Sequence, residues 1–144
     1  MMDKLRDNAL SLLARREHSR LELKRKLQSG IDAHDLAQLL HALATEGLQS
    51  DDRFAENFVR SRRENGYGPL RIDQELKERG INNALIQKYL SLDVEDWQPL
   101  LQQAWQKKYH SSVPKNQKER ARQVRFLLSR GFPQQWVMKF LSAL

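Results

Sequence analysis

The chain has 144 residues, of which 40% are hydrophobic and 30% are charged, and its formal net charge is +7. It has no cysteine, which excludes a disulfide framework and thiolate zinc sites, and it has neither a signal-peptide core nor an apolar run near the ~20 residues needed to cross a bilayer. We therefore expect a cytoplasmic protein without a membrane segment, and the positive charge predicts a polyanionic partner such as nucleic acid.

Helical periodicity runs through the whole chain, and no segment shows the alternation of a strand. The fold class is therefore predicted to be all-α. Start and stop signals agree: Ser19 and Glu22 suit a capping box, Pro69 suits a first helical turn, and Gly80 suits a helix end. In chain order, the nine predicted helices cover residues 3–16, 19–29, 32–46, 51–64, 69–80, 82–91, 94–109, 114–130 and 133–144.

A short phrase, an apolar helix ending in glycine, recurs three times. The glycines Gly30, Gly80 and Gly131 are separated by 50 and 51 residues, and apolar residues stand one, six, nine and ten positions after each of them. Each glycine allows the left-handed turn that ends one helix, and the apolar positions form one face of the next helix. We therefore predict three tandem three-helix modules that stack into an elongated, curved helical-repeat protein. The modules cover residues 1–49, 50–92 and 93–144.

The positive charge is concentrated in the third module. Residues 93–144 hold nine basic and four acidic side chains, a net charge of +5, whereas each of the other modules has a net charge of +1. On a helical wheel of the eighth helix, a basic stripe lies opposite an apolar stripe, and Phe126 lies near the basic side. Phe126 either contacts nucleic acid among cations or packs against the ninth helix, and the second interpretation is favoured.

The candidate nucleic-acid contacts are basic residues from two segments. The cluster at the end of the fourth helix is ambiguous, because cations there also suit the negative end of the helix dipole. The candidates of the third module are Lys107, Lys108, Lys115, Lys118, Arg122 and Arg125, and those of the fourth helix are Arg60, Arg62 and Arg63.

No group of residues indicates catalysis or metal binding. The segment GYGP at 66–69 lacks the lysine and hydroxyl of a phosphate loop, so it is interpreted as a helix stop and start, with a hinge as an alternative. His34 and His41 lie two turns apart, which is too far for easy shared ligation. Asp51 and Asp52 suit the positive end of a helix dipole. We therefore expect neither an enzyme nor a cofactor.

A stand-alone helix-turn-helix protein that reads DNA, such as a transcription factor, is the alternative function. The sixth helix supports it, since Asn82, Asn83, Gln87 and Lys88 could reach base edges. The matching helix of the first module opposes it, since Asp32 and Asp35 near its start would face phosphate poorly.

The central segment resembles a known family. Residues 48–81, LQSDDRFAENFVRSRRENGYGPLRIDQELKERGI, are similar to the signature of the RecX regulatory proteins, and SRLELKRKL at 19–27 and FLLSRGF at 126–132 agree. One departure is that the first corner is a residue short before Gly30. The matching features are Asp51, Asp52, Phe54, Ala55, Arg62, Gly66, Gly68, Ile72, Leu76, Gly80 and Ile81.

The resemblance implies a negative regulator of RecA recombinase. Members of this family bind the RecA–single-stranded-DNA filament, lie along its groove, and suppress ATP hydrolysis, strand exchange and the coprotease activity that triggers the SOS response. The expected partners are RecA and single-stranded DNA, with double-stranded DNA as a further partner. We expect the chain to act as a monomer.

Overall fold

The computed structural model describes residues 2–144. Within this range it contains nine α-helices and no strand, which confirms the all-α, helical-repeat prediction. The helices are α1 (Met2–Arg15), α2 (Arg20–Leu27), α3 (Ala33–Thr45), α4 (Asp51–Glu64), α5 (Pro69–Glu78), α6 (Asn83–Tyr89), α7 (Val94–Tyr109), α8 (Gln117–Ser129) and α9 (Gln134–Ser142).

The start of α8 differs from the prediction. Asn116 is the N-cap, and its side chain accepts a hydrogen bond from the backbone N–H of Glu119 at 2.9 Å. In return, the Glu119 carboxylate accepts one from the backbone N–H of Lys115 at 2.8 Å. These bonds satisfy donors at the helix start and fix it at Gln117. The prediction that Pro114 and Lys115 belong to the eighth helix is therefore wrong.

Contacts divide the chain into two compact units. The first unit contains Met1–Phe58 and Leu76–Ile86, and the second contains Val59–Glu75 and Gln87–Leu144. The boundaries fall inside α4, α5 and α6.

The core of the first unit is a leucine cluster from α1, α2 and α3. Leu23 and Leu43 are completely buried there, together with Ala9 of α1. The start of α2 is fixed by the predicted capping box: Ser19 Oγ accepts from the Glu22 N–H, and the Glu22 carboxylate accepts from the Ser19 N–H, each at 3.1 Å. The remaining buried members of the cluster are Leu5, Leu27, Leu36, Leu39 and Leu40.

The core of the second unit is built on aromatic residues of α7. Trp97 meets Phe132 edge-on at a centroid distance of 6.5 Å, and Trp105 meets Phe140 in the same way at 5.4 Å. The buried Trp105 indole N–H donates to the side-chain oxygen of Gln123 at 2.8 Å, so its polar atom is satisfied inside the core. These contacts bind α8 and α9 to α7.

Two of the three repeated corners have the same hydrogen bonding. Gly80 and Gly131 have φ of +78° and +101°, and the residue after each donates its backbone N–H to the carbonyl five residues earlier, as in a Schellman motif. Gly30 is also left-handed, with φ of +72°, but there the Ile31 N–H donates to the nearer Gln28 carbonyl. The predicted left-handed glycines are confirmed, and the first corner is a different type of turn.

Candidate nucleic-acid interface

The exposed face of α8 carries three of the predicted basic residues. Lys118, Arg122 and Arg125 are separated by four and three residues, so they follow one side of the helix, and all three are exposed. Lys115 is exposed too, but it lies before the helix. Glu119, the acidic residue in this stretch, has its carboxylate at the helix start, and none of these four cations forms an ion pair within residues 2–144. The face therefore presents positive charge without internal neutralisation.

Tyr109 connects this basic face to the end of α7. Its hydroxyl lies 3.5 Å from the backbone carbonyl of Arg122. Burial raises the pKa of the Tyr109 hydroxyl, and the positive charges of Arg122 and Arg125 partly oppose that rise. The Tyr109 ring also contacts Phe126, which lines the pocket described next.

A pocket of about 230 Å³ lies at the end of α7. Phe126 forms part of its wall, and its ring meets the Tyr109 ring edge-on at 5.7 Å. This packing contact is with α7, and the role of Phe126 in nucleic-acid binding stays a prediction. The pocket is lined by Asn65, Gly66, Ala104, Lys107, Lys108, Phe126 and Arg130.

Cations and aromatic rings alternate in a row that begins in the pocket and continues beyond it. Lys108 Nζ lies 5.4 Å from the Phe126 centroid, and Arg130 Cζ lies 5.2 Å from the same ring. Arg130 Cζ is also 4.7 Å from the centroid of Tyr67, so its guanidinium lies near both rings. Arg71 Cζ lies 4.4 Å from the Tyr67 centroid. We call Arg71, Tyr67, Arg130, Phe126 and Lys108 the cation–aromatic row. Such interleaving is typical of surfaces that bind single-stranded nucleic acid.

The predicted cluster at the end of α4 is held within the second unit. Arg62 forms a two-point ion pair with Glu75, with distances of 2.9 and 2.6 Å, and its Cζ lies 3.8 Å above the Tyr67 ring. Arg63 lies over Trp97 at 4.4 Å and donates to the Asp96 carbonyl at 3.2 Å. Arg60 is exposed. Arg62 and Arg63 therefore position neighbouring rings.

The sequence interpretation missed Tyr67, Arg71 and Arg130. Tyr67 lies in the GYGP segment, where only the helix signals were read, and Arg130 immediately precedes the corner glycine Gly131. A local signal existed for Arg130 alone among the three, because the helix end at Gly131 sets the position of its backbone. Their meeting depends on tertiary structure: the Gly68 N–H donates to the Arg130 carbonyl at 2.7 Å, and the Leu70 N–H donates to the Gly131 carbonyl at 3.0 Å. These bonds join the two corners, so the structure gives no support for a hinge there.

Asp51 and Asn82, which the sequence analysis considered for catalysis and for reading bases, form hydrogen bonds within the first unit. Asp51 accepts from the Arg20 N–H at 2.8 Å and from the Gln49 side chain at 2.9 Å. Asn82 accepts from the Leu85 N–H at 2.9 Å, so its side chain caps α6. Within residues 2–144 no group of three or more His, Asp or Glu side chains could hold a metal ion, and no helix is long and apolar enough to span a membrane.

Comparison with known proteins identifies the family. Residues 50–90 match the second three-helix domain of RecX, and residues 95–141 match the third. The chain is 44% identical to the regulatory protein RecX of Pseudomonas syringae pv. tomato over 96% of its own length and 90% of the relative's. The chain belongs to the RecX family. A RecX protein of Pseudomonas putida strain W619 is 45% identical over 96% of this chain and 89% of its own length.

Two solved RecX structures have the same fold. RecX from Lactobacillus salivarius superposes with a TM-score of 0.72 and 23% identity, covering 99% of this chain and 97% of that one. A second crystal structure, of a regulatory protein RecX, gives a TM-score of 0.83 at 20% identity, covering 99% of this chain and 73% of the other. The RecX fold is thus maintained at low identity. The family models and the relatives above 40% identity confirm the family resemblance and support a RecX regulatory role.

Proposed function

We propose that this RecX-family chain is a negative regulator of RecA recombinase that acts on the RecA–single-stranded-DNA filament. The observation that carries the proposal is family membership over nearly the whole chain. The un-neutralised basic face of α8 supports it, because a nucleoprotein filament offers phosphates alongside protein. In this proposal, binding suppresses ATP hydrolysis, strand exchange and coprotease activity, and so moderates DNA repair and the SOS response.

The nucleic-acid contacts in this proposal are the exposed cations of the third predicted module and Arg60. Arg62 and Arg63 contribute by holding Tyr67 and Trp97. The chain acts as a cytoplasmic monomer built from the modules 1–49, 50–92 and 93–144, needs no cofactor and catalyses no reaction. Single-stranded DNA is the main nucleic-acid partner, and double-stranded DNA binds through the same phosphate contacts.

The alternative is a stand-alone DNA-binding protein of helix-turn-helix type. The basic face of α8 could serve that function as well, although Asn82 is engaged in capping α6.

ATP hydrolysis by RecA on single-stranded DNA separates the two functions. The chain is titrated at fixed RecA and fixed DNA. A filament regulator inhibits well below one copy per RecA protomer, because one bound copy affects a polymer of many protomers. A stand-alone DNA binder slows hydrolysis only when it covers the DNA stoichiometrically, and that result would refute the proposal.

A further inference from the structure

We infer that the pocket beside Phe126 binds one unpaired nucleobase of single-stranded DNA, stacked on the phenylalanine ring. The inference rests on the proposed function, since it assumes that the exposed cations of this unit contact DNA. It adds a base-binding subsite and a physical reason for preferring single strands. All residues of this subsite belong to the second unit.

The chemistry of the pocket matches both parts of a nucleotide. A base needs a flat apolar surface, which Phe126 provides with the small side chain of Ala104 nearby. A phosphate needs cations, which Lys107, Lys108 and Arg130 provide around the same pocket. A purely anionic ligand would not need the ring, and a purely apolar ligand would not need three cations. A nucleotide uses all of these residues.

The cations are available to phosphate. Lys107 and Lys108 are exposed, and Arg130 is partly exposed. None of these three cations forms an ion pair within residues 2–144. Lys108 and Arg130 flank the Phe126 ring, with distances to its centroid of 5.4 and 5.2 Å. A long flexible side chain in this position can move from the ring to an adjacent phosphate when a base enters.

The Phe126 ring packs against one neighbouring ring, and the end of its helix is anchored. Tyr109 packs edge-on against Phe126 at 5.7 Å. The backbone of Arg130, one turn further along, accepts the Gly68 N–H at 2.7 Å. A preorganised ring loses little entropy when a base stacks on it. The base pairs of a duplex are already stacked, so duplex DNA can use the cations but not the ring.

The test compares two short single strands of equal length at one salt concentration, one with normal bases and one with abasic sites throughout. Affinities for the full-length chain are measured by fluorescence anisotropy. We expect the wild-type chain to prefer the strand with bases by about fivefold or more, and Phe126→Leu to lose that preference. Phe126→Tyr, which keeps an aromatic face, should retain it.

Two further variants complete the test. Phe58→Leu is the matched control, because Phe58 lies in the first unit and also has an arginine, Arg79, 4.8 Å from its ring. It should bind both strands as wild type does. The double variant Lys107→Glu, Lys108→Glu should lose affinity for both strands by the same factor. This pattern would support separate base and phosphate contacts in one pocket.

Other outcomes overturn the inference in distinguishable ways. If Phe126→Leu keeps the preference for bases, the subsite is elsewhere, while DNA binding and the proposed function stand. If the wild-type chain binds normal and abasic strands equally, and an acidic peptide displaces both, the pocket is an anion site for protein. If the wild-type chain binds neither strand, the DNA contacts of the proposed function fail together with the subsite.

Discussion

At the scale of single residues, two glycines allow two corners of the second unit to touch. A Cβ atom on Gly68 would lie 2.5 Å from the carbonyl carbon of Gly131, a distance that real Cβ atoms do not adopt. The sequence predicted the left-handed Gly131, because a glycine after an apolar helix is a local signal. It could not predict the role of Gly68, whose neighbour is 63 residues away in the chain.

Replacing Gly68 by alanine should therefore destabilise the second unit more than an ordinary glycine substitution does. The added Cβ meets backbone atoms, which cannot rotate away as a side chain can. The hydrogen bonds from the Gly68 N–H to the Arg130 carbonyl and from the Leu70 N–H to the Gly131 carbonyl must therefore lengthen. Gly30→Ala is the matched control: its φ is +72°, but its Cβ would meet nothing within 4 Å, so we expect a loss of only about 1–2 kcal/mol. Urea unfolding measures both. Equal losses would show that the corners do not touch in solution.

His18 is a buried polar residue between α1 and α2. Its Nδ1 lies 3.1 Å from the Arg16 carbonyl, which can only accept, so Nδ1 carries the proton. Its Nε2 then accepts from the Lys26 ammonium at 3.0 Å. Burial lowers the pKa of His18; the charges of Arg16 and Lys26 lower it further, while the bond to the Arg16 carbonyl and the charge of Glu22 oppose the shift.

This arrangement predicts a pH dependence of stability. Because the folded-state pKa is below the unfolded value of about 6.5, the unfolded chain binds the proton more readily. The stabilisation is fully present above pH ~6.5 and is lost as the pH falls through the folded-state pKa. Urea unfolding of wild type and His18→Gln should differ more at pH 7 than at pH 5. A difference independent of pH would mean that His18 does not titrate with folding.

At the scale of helices, the sequence predicted a helix start correctly where the capping residues were recognised. The capping box at Ser19 was predicted correctly because its signal is local. The start of α8 was not, because the reciprocal bonds of Asn116 and Glu119 begin the helix after Pro114. This one correction removes Lys115 from the helical stripe and leaves Lys118, Arg122 and Arg125. The cation–aromatic row could not be predicted, since it joins residues of separate helices.

Charge reversal on α8 tests the stripe. In the triple variant Lys118→Glu, Arg122→Glu, Arg125→Glu, helix content should not change, since glutamate is a good helix former and all three side chains are exposed. If the wild-type chain neutralises about four to six phosphates, its log–log salt slope on single strands is roughly −3 to −4, and losing three contacts should make it shallower by about 2. Anisotropy titrations over a salt series measure the slope.

The control for this experiment is a second triple reversal, Lys4→Glu, Arg15→Glu, Lys24→Glu, at exposed positions of the first unit. This control changes the net charge by the same amount as the α8 triple variant does. It should change the salt slope of single-strand binding much less. Equal effects of the two variants would mean that total charge, and not the α8 face, determines binding. Circular dichroism of both variants checks the fold.

At the scale of the whole molecule, the interval of 50 and 51 residues between corner glycines predicts a stack of three modules. The helices and left-handed corners of that pattern are confirmed. The stacking and the monomeric state stay predictions, because local periodicity does not determine how modules are arranged. Small-angle scattering tests both. A compact sphere of this length has a radius of gyration of about 15 Å, and we expect a larger value with a monomeric mass.

RecA ATPase on single-stranded DNA, with the α8 triple variant beside the wild-type chain, tests the central claim most directly. The claim is that this RecX-family chain regulates the filament through the basic face of its second unit. We predict that the wild-type chain inhibits well below one copy per RecA protomer, and that the variant needs a several-fold higher ratio for the same inhibition. Equal inhibition by the two proteins at the same ratio would contradict the claim.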